Sequence, residues 1–159
     1  MLVRWMLFLV MGLGAHSEAL AARDKTLEKP SFMRGAPKAL KEEMMKFWEQ
    51  CTTADGTACI LLADAYVNGR GVKVNAARGA SLFQRACEVG VGSGCTKLAM
   101  LHFKGIDGKK DFAQAATYFK QGCDRGHVTG CLNLGNLYVA GDGVDVDEAK
   151  AVALYKQGC

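Results

Sequence analysis

All seven cysteines of this 159-residue chain lie on one regular lattice, which leaves few folds open to it. Six of them form pairs with seven residues between the two cysteines, and successive pairs are 36 residues apart. The pairs are Cys51/Cys59, Cys87/Cys95 and Cys123/Cys131. Cys159 lies one further step along the chain. Repetition at a fixed period of this length is typical of a solenoid, in which each unit buries its apolar face only against its neighbours.

The first half of each 36-residue unit carries an apolar stripe at helical spacing, which predicts a helix that opens at the cysteine and buries one face. The stripe residues are Leu62, Ala63 and Tyr66; Leu98, Ala99 and His102; and Leu134, Gly135 and Tyr138. A glycine follows each stripe, at Gly69, Gly105 and Gly141. Glycine adopts the left-handed conformation that closes a last helical turn, so we expect the first helices to end there.

The second half of each unit predicts a second helix. Asn75, Asp111 and Asp147 stand at one repeat position, where a short polar side chain can cap the helix start. Small residues follow, and we expect them to face inward and let the two helices of a unit approach closely. They are Ala77, Gly79 and Ala80; Ala113, Ala115 and Ala116; and Ala149, Ala151 and Val152. The predicted fold is an all-α solenoid of 36-residue antiparallel helical hairpins.

The remaining sequence suggests a signal, a linker and a cap. Residues 1–21 combine a positive start, an apolar run and the small-residue pattern Ala19-Leu20-Ala21, which is typical of a cleaved signal peptide. Residues 22–36 are polar and predict a flexible linker. Residues 37–51 predict one N-terminal capping helix, followed by repeats 52–87, 88–123 and 124–159. We therefore expect an exported protein, periplasmic or secreted, without membrane insertion after signal cleavage.

Export and strict cysteine spacing favour disulfides over metal binding. The sequence has no C-x-x-C motif and its three histidines are scattered, so no metal or cofactor is predicted. Two pairings fit antiparallel hairpins. Bonds across seven residues leave Cys159 unpaired, whereas bonds such as Cys59–Cys87 use Cys159 and leave Cys51 unpaired. Spacing alone leaves both open.

The third unit contains the pattern Leu134-Gly135-x-Leu137-Tyr138-x-x-Gly141-x-Gly143-Val144-x-x-Asp147-x-x-Lys150-Ala151-x-x-x-Tyr155. This pattern resembles the Sel-1-like repeat, a relative of the tetratricopeptide repeat, and the added C-x7-C resembles the Hcp-type branch of secreted cysteine-rich proteins. The resemblance implies right-handed superhelical stacking, a role in protein–protein recognition, and disulfides within each C-x7-C. Some members are described as binding or slowly hydrolysing β-lactams.

The implied disulfides are Cys51–Cys59, Cys87–Cys95 and Cys123–Cys131, with Cys159 unpaired. The chain departs from the repeat pattern in two places. Unit two has Gly105-Ile106-Asp107-Gly108 where its neighbours have Gly-x-Gly-Val, so we expect a different turn. The chain also stops at Cys159, before a second cysteine and closing helix. We therefore expect either that the chain is truncated, or that its last apolar face is covered by a partner or by self-association with a second copy.

Candidate partner-binding residues are first-helix positions off the buried stripe, because they differ between units where core positions repeat. They are Asp64, Asn68, Lys97, Met100, Lys104, Asn133 and Asn136, beside Leu61 and Ala140. Asparagines can bind an extended peptide backbone and lysines can meet a carboxylate, so a protein or peptide ligand is expected. A plain solvent-exposed face is the alternative. The formal charge of +4 without a basic cluster argues against nucleic acid.

No catalytic residue is predicted. Ser31, Ser81 and Ser93 are not followed three residues later by lysine, so the serine β-lactamase motif is absent from the sequence. His102 is interpreted as a packed residue between helices and His127 as a solvated turn residue. Two functions follow from the sequence. One is an exported adaptor that binds a protein or peptide in a concave groove, and the other is a binder or weak hydrolase of β-lactams or cell-wall peptides.

Overall fold

A computed structural model of the chain describes residues 29–158, apart from Met33 and Asp107. The predicted signal peptide, residues 22–28 of the predicted linker, and Cys159 lie outside the described residues.

The described residues form seven α-helices, each packed on the next in chain order. They are α1 Lys38–Thr52, α2 Gly56–Asn68, α3 Ala76–Glu88, α4 Gly92–Lys104, α5 Phe112–Asp124, α6 Val128–Ala140 and α7 Glu148–Gly158. Each unit contributes a first helix (α2, α4 or α6) and a second helix (α3, α5 or α7), and α1 precedes the first unit. The all-α solenoid predicted from the sequence is confirmed.

Three disulfides join each second helix, or α1, to the first helix that follows it. The bonds are Cys51–Cys59, Cys87–Cys95 and Cys123–Cys131, with Cα–Cα distances of 4.7, 4.5 and 4.5 Å. All six sulfur-bearing side chains are buried. The pairing across seven residues is thus the one present, and the bonds tie successive hairpins to each other rather than the two helices of one hairpin.

The first helices begin three residues before the cysteine, where the sequence predicted a start at the cysteine itself. In α2 the reason is local, because the Asp55 carboxylate accepts hydrogen bonds from the Thr57 and Ala58 N–H groups at 2.9 and 3.1 Å. Each cysteine therefore lies inside the first helical turn, opposite the last turn of the preceding helix.

The helix ends within each unit agree largely with the sequence. Asn75, Asp111 and Asp147 each accept a backbone N–H at 2.9 Å, so the predicted caps are confirmed. Gly69 and Gly141 adopt the left-handed conformation, with φ of 73° and 74°. Gly105 has φ 102° and ψ 121°, outside that region, and the turn after it closes with an Ile106–Lys109 bridge. Unit two therefore has the different turn that its sequence predicted.

Three alanines expected to face inward are exposed. Ala77, Ala113 and Ala149 point to solvent, whereas the small residues two and three positions later in units one and two are buried. At 100° per residue, a helix that buries positions 79, 80 and 83 turns position 77 away from the core. Val152 is also exposed, although Ala80 and Ala116 at its repeat position are buried.

Both remaining histidines pack against a neighbouring helix. His102 is half-buried and stacks on Tyr118 with a ring-centroid distance of 5.5 Å, as the packed interpretation predicted. The interpretation of His127 as a solvated residue was wrong. Its Nδ1 lies 2.9 Å from the Thr96 hydroxyl, and this hydrogen bond connects the start of α6 to α4.

Part of the predicted flexible linker is packed on the solenoid. Pro30 is buried, and Phe32 forms an isolated antiparallel bridge with the fully buried Val72. Phe32 also contacts the core cluster of the first unit. This stretch is therefore anchored by its one aromatic residue, which the polar composition of residues 22–36 conceals.

Arg85 on α3 binds the end of α1. Its Nε donates to the Cys51 carbonyl at 2.9 Å and its Nη2 to the Thr52 carbonyl at 3.1 Å. The last carbonyls of a helix have no partner within the helix, so this side chain satisfies them. Burial lowers the pKa of Arg85, and the charge of Glu88 opposes that shift. No sequence pattern indicated this contact.

Candidate protein-binding surface

The candidate residues lie on one surface made by α2, α4 and α6. We call this surface the first-helix face and define it by Asp64, Asn68, Lys97, Met100, Lys104, Asn133 and Asn136. Helices α4 and α6 contact each other directly, beyond their contacts within hairpins. Residues from neighbouring units therefore come within reach of one another on this face.

Two side-chain contacts connect adjacent units across the first-helix face. The Lys97 Nζ lies 3.0 Å from the Asp64 Oδ1, and the Asn133 Nδ2 lies 3.9 Å from the Met100 sulfur. Both contacts join residues 33 positions apart, one helical turn less than the repeat. The repeat stacking thus pairs position 64 of one unit with the equivalent of position 61 in the next.

Pairing changes what Lys97 can do. The sequence suggested that this lysine meets a carboxylate of the ligand, whereas in the structure it binds the carboxylate of Asp64 and also lies 5.6 Å from the centre of the Phe83 ring. Both charged side chains remain over one third exposed, so the ion pair contributes little to stability and stays accessible. Its main effect is to fix the position of both groups.

The other candidates differ in their freedom to bind. Asn136 is exposed, and its Oδ1 accepts a hydrogen bond from the Tyr155 hydroxyl at 2.7 Å. Asn68 is exposed and donates to the Asp64 carbonyl of its own helix at 2.9 Å. Lys104 is exposed at the end of α4. The face therefore offers polar groups that are held in place near α2 and α6.

A shallow pocket of about 200 Å³ opens at the α1 end of this face. Phe47, Leu61 and Ala65 form its apolar floor. Four polar residues form its wall, and two of them are Asp64 and Asn68. The other two are Glu43 and Arg70, whose side chains form an ion pair of 3.3 Å. Leu61 is an exposed large apolar residue, so the floor is accessible to a side chain from outside.

Sequence reasoning found only part of this pocket. Leu61, Asp64 and Asn68 were among the first-helix positions, whereas Glu43, Phe47 and Arg70 were missed as site residues. Nothing in the sequence shows that the turn after Gly69 brings Arg70 back to α1. The spacing of Glu43 and Phe47 in α1 could have suggested that they share a partly exposed side of the helix, but not that Arg70 lies beside them.

No metal-binding arrangement is found in the described part of the chain. Residues 29–158, without positions 33 and 107, contain no group of three His, Cys, Asp or Glu placed to hold a metal ion. The Ser81 hydroxyl donates to the Ala77 carbonyl of its own helix at 3.1 Å.

The C-terminal end of the solenoid exposes apolar residues that the other units bury. Leu132 is 36% exposed, whereas Ile60 and Thr96 at the same repeat position are 8% and 3% exposed. Val152 shows the same contrast with Ala80 and Ala116. Thr96 of unit two is covered by unit three, since its hydroxyl lies 2.9 Å from the His127 Nδ1. We call Val128, Leu132 and Val152 the C-terminal end surface.

No helix among the residues that the structure describes is both long and apolar enough to span a bilayer.

The family model of the Sel1 repeat matches three consecutive segments, residues 56–91, 92–127 and 128–159. The chain belongs to the Sel1 repeat family. The matched units begin four residues after those predicted from the cysteine spacing. Each match starts at the first residue of α2, α4 or α6. No curated protein sequence matches the chain significantly.

Solved Sel1 structures resemble this one over most of its length. A Sel1 repeat protein from Oxalobacter formigenes superposes with a TM-score of 0.70 at 26% identity, covering 74% of this chain and 48% of that protein. The chain thus spans about half the length of that relative. The c5321 protective antigen of uropathogenic Escherichia coli shares the fold, with a TM-score of 0.66 at 24% identity over 74% of this chain and 26% of the antigen.

A cysteine-rich relative supports the Hcp-type assignment. Cysteine-rich protein B of Helicobacter pylori superposes with a TM-score of 0.61 at 29% identity, covering 77% of this chain and 87% of that protein. Sel1 repeats mediate protein–protein interactions, and this is the level of function that the family supports. Disulfides inside the chain and a cysteine-rich relative both indicate an extracytoplasmic protein.

Proposed function

We propose that this Sel1 repeat protein is an exported adaptor that binds an extended segment of a protein partner along the first-helix face. The pocket at the α1 end carries this proposal. Its apolar floor of Phe47 and Leu61 accepts one side chain of the partner, and the polar groups around it hold the adjacent backbone. Along the rest of the face, Asn133 and Asn136, three residues apart on α6, supply further hydrogen-bonding groups.

The fixed ion pairs favour specificity over strength. Glu43–Arg70 and Asp64–Lys97 neutralise each other in pairs, so the face carries no strong field to attract any charged molecule. A partner must match the pattern of donors and acceptors instead, since burying an unmatched polar group costs free energy. This is consistent with recognition of a particular segment rather than a general affinity for acidic or basic chains.

The cellular location in this proposal is the periplasm or the extracellular medium, reached by cleavage of the signal peptide 1–21. The three disulfides support it, because they form and persist in oxidising compartments. Mass spectrometry of the processed protein, with and without alkylation of free thiols, tests both the cleavage site and the oxidised state.

Selection of peptides from a displayed random library against the oxidised protein tests the binding role. We expect selected peptides to lose about tenfold or more in affinity on Leu61→Glu, because a carboxylate then occupies the apolar floor. Ser81→Glu adds the same charge on an exposed position of α3 and should leave the affinity unchanged. Failure to enrich any peptide, or binding that Leu61→Glu does not weaken, contradicts the proposal.

Action on β-lactams is the competing function, and it is supported only by resemblance to Hcp-type relatives. A chromogenic cephalosporin distinguishes the two, and we expect no turnover above that of buffer. Turnover that persists through purification and disappears when the disulfides are reduced would instead assign the protein to hydrolysis.

The C-terminal end surface is a second place where a protein can bind in this proposal, because its apolar residues occupy the positions that stack on a following unit. Self-association through this surface stays a prediction. Leu132→Asp tests it, since a carboxylate at that position would break such a contact while leaving the first-helix face intact.

A further inference from the structure

The turns that connect the two helices of units one and three have the same backbone. Turn one comprises residues 69–75 and turn three residues 141–147. Each begins with a left-handed glycine, has a second positive-φ glycine two residues later, and ends with a helix-capping side chain. The hydrogen bonds also match, because residue 70 binds the carbonyl of residue 65 as residue 142 binds that of residue 137. Side chains at equivalent positions therefore project alike.

Charges at these equivalent positions are opposite. Turn one carries Arg70 and Lys73 and no acidic residue, whereas turn three carries three aspartates and no basic residue. Two of those aspartates align with the two basic residues at an offset of 72, Asp142 with Arg70 and Asp145 with Lys73. Lys73 and Asp145 are both exposed.

An exposed valine accompanies each charged set. Val74 is 60% exposed and Val146 is 63% exposed, and they occupy the same position of the two turns. Each valine lies against the glycine that opens its turn, Val74 against Gly69 and Val146 against Gly141, and leaves most of its side chain exposed. Each turn therefore presents one exposed valine beside one exposed charge, Lys73 in turn one and Asp145 in turn three, while Arg70 is paired with Glu43.

We propose that this edge of the solenoid, formed by turns one and three, binds a second copy of the chain in an antiparallel two-fold dimer. Turn one of one protomer lies against turn three of the other, so that Lys73 meets Asp145 and Val74 meets Val146 at both ends of the contact. A two-fold interface needs one surface whose parts complement each other, which opposite charges on identical backbones provide.

An antiparallel arrangement uses turns one and three of both protomers. A head-to-tail contact would pair turn one of one protomer with turn three of the other and leave the remaining turn of each protomer unmatched. Turn two of each protomer then lies near the two-fold axis, against its own copy. Arg70 of turn one lines the pocket at the α1 end of the first-helix face, whereas Lys73 and Val74, which make the dimer contact, do not line it, so the proposed peptide binding does not depend on the dimer.

Sedimentation equilibrium of the oxidised protein tests the dimer. We expect two chains per particle at low salt and dissociation as sodium chloride is raised from about 0.05 to about 0.5 M, because screening weakens exposed charge pairs. Lys73→Asp and Asp145→Lys should each weaken the dimer about tenfold or more. An equimolar mixture of the two variants should restore it, since each mixed pair is again of opposite charge.

Lys46→Asp on α1 is the matched control, because it makes the same change of charge at an exposed position away from the turns. Far-ultraviolet circular dichroism establishes that the variants are folded. Three outcomes would overturn the proposal: a monomer at protein concentrations up to about 1 mM, a dimer lost on Leu132→Asp but unaffected by Lys73→Asp, or particles that grow beyond two chains with concentration.

Discussion

Asp147 and Asn75 close the same hydrogen-bonded ring at the starts of α7 and α3, one with a carboxylate and the other with an amide. The backbone N–H of Lys150 donates to Asp147, and its ammonium lies 2.9 Å away. These contacts hold the pKa of Asp147 below its usual range, and they raise the pKa of Lys150. Of these two caps, only Asp147 can therefore be protonated in acid, because the Asn75 amide does not titrate.

The start of α7 should loosen in acid while the start of α3 does not. Because the pKa of Asp147 is lower in the folded state, its stabilising effect is complete above the ordinary aspartate pKa of about 3.9. That effect is lost as the pH falls through the lower value of the folded state. We expect the amide resonance of Lys150 to move in this range, measured by NMR. The amide of Arg78, capped by Asn75, is the internal control.

Asp147→Asn should retain the cap and abolish this movement, since asparagine accepts the same bond without titrating. A Lys150 amide that still moves between about pH 4 and 2 in this variant would show that another group controls the helix start.

Contacts between residues near in sequence could be predicted here, and contacts between distant residues could not. Asn75, Asp111 and Asp147 bind backbone groups three residues away, so their spacing alone identified them as caps. Arg85 binds carbonyls 33 and 34 residues earlier in the chain, and Lys97 binds a carboxylate 33 residues away. Those partners depend on how the helices stack, which no local pattern specifies.

At the scale of helices, the disulfides fix the approach of one hairpin to the next. Beneath the Cys123–Cys131 bond, a side-chain carbon added at Gly130 would lie 2.8 Å from the Cys123 nitrogen. Glycine is required there because the backbones of α5 and α6 are too close for a larger residue. The sequence predicted these helices but placed the starts of α4 and α6 at the cysteine, three residues later than in the structure.

Replacing Cys87 and Cys95 together by alanine should lower the free energy of unfolding by about 2–3 kcal/mol, the chain-entropy value for a loop of this length. Helices α3 and α4 would then be held only by packing and hydrogen bonds. Denaturant titration of the oxidised protein measures the change.

Ser93→Ala, a position between the two cysteines on the half-exposed first turn of α4, is the control and should change stability by less than about 0.5 kcal/mol. A double variant as stable as the parent would mean that the bond adds nothing beyond the packing of α3 on α4.

For the whole molecule, the repeat explains which surfaces are buried and which are available. Apolar residues at one repeat position are covered wherever another unit follows. The sequence predicted an uncovered last face from this rule, whereas it could not predict the pocket, which depends on α1 and a turn meeting outside the repeat pattern. The repeat thus accounts for the core, whereas the proposed binding surfaces lie where the structure departs from the repeat.

Ile60 and Leu132 allow a direct comparison of one repeat position that is buried in unit one and exposed in unit three. Ile60→Ala should cost about 2–4 kcal/mol of unfolding free energy, because it leaves a cavity in the core. Leu132→Ala should cost less than about 1 kcal/mol, because its side chain already contacts solvent. Denaturant titrations at low and high protein concentration measure both. If Leu132→Ala costs as much as Ile60→Ala, and more at high concentration, the C-terminal end surface is buried against another chain in solution.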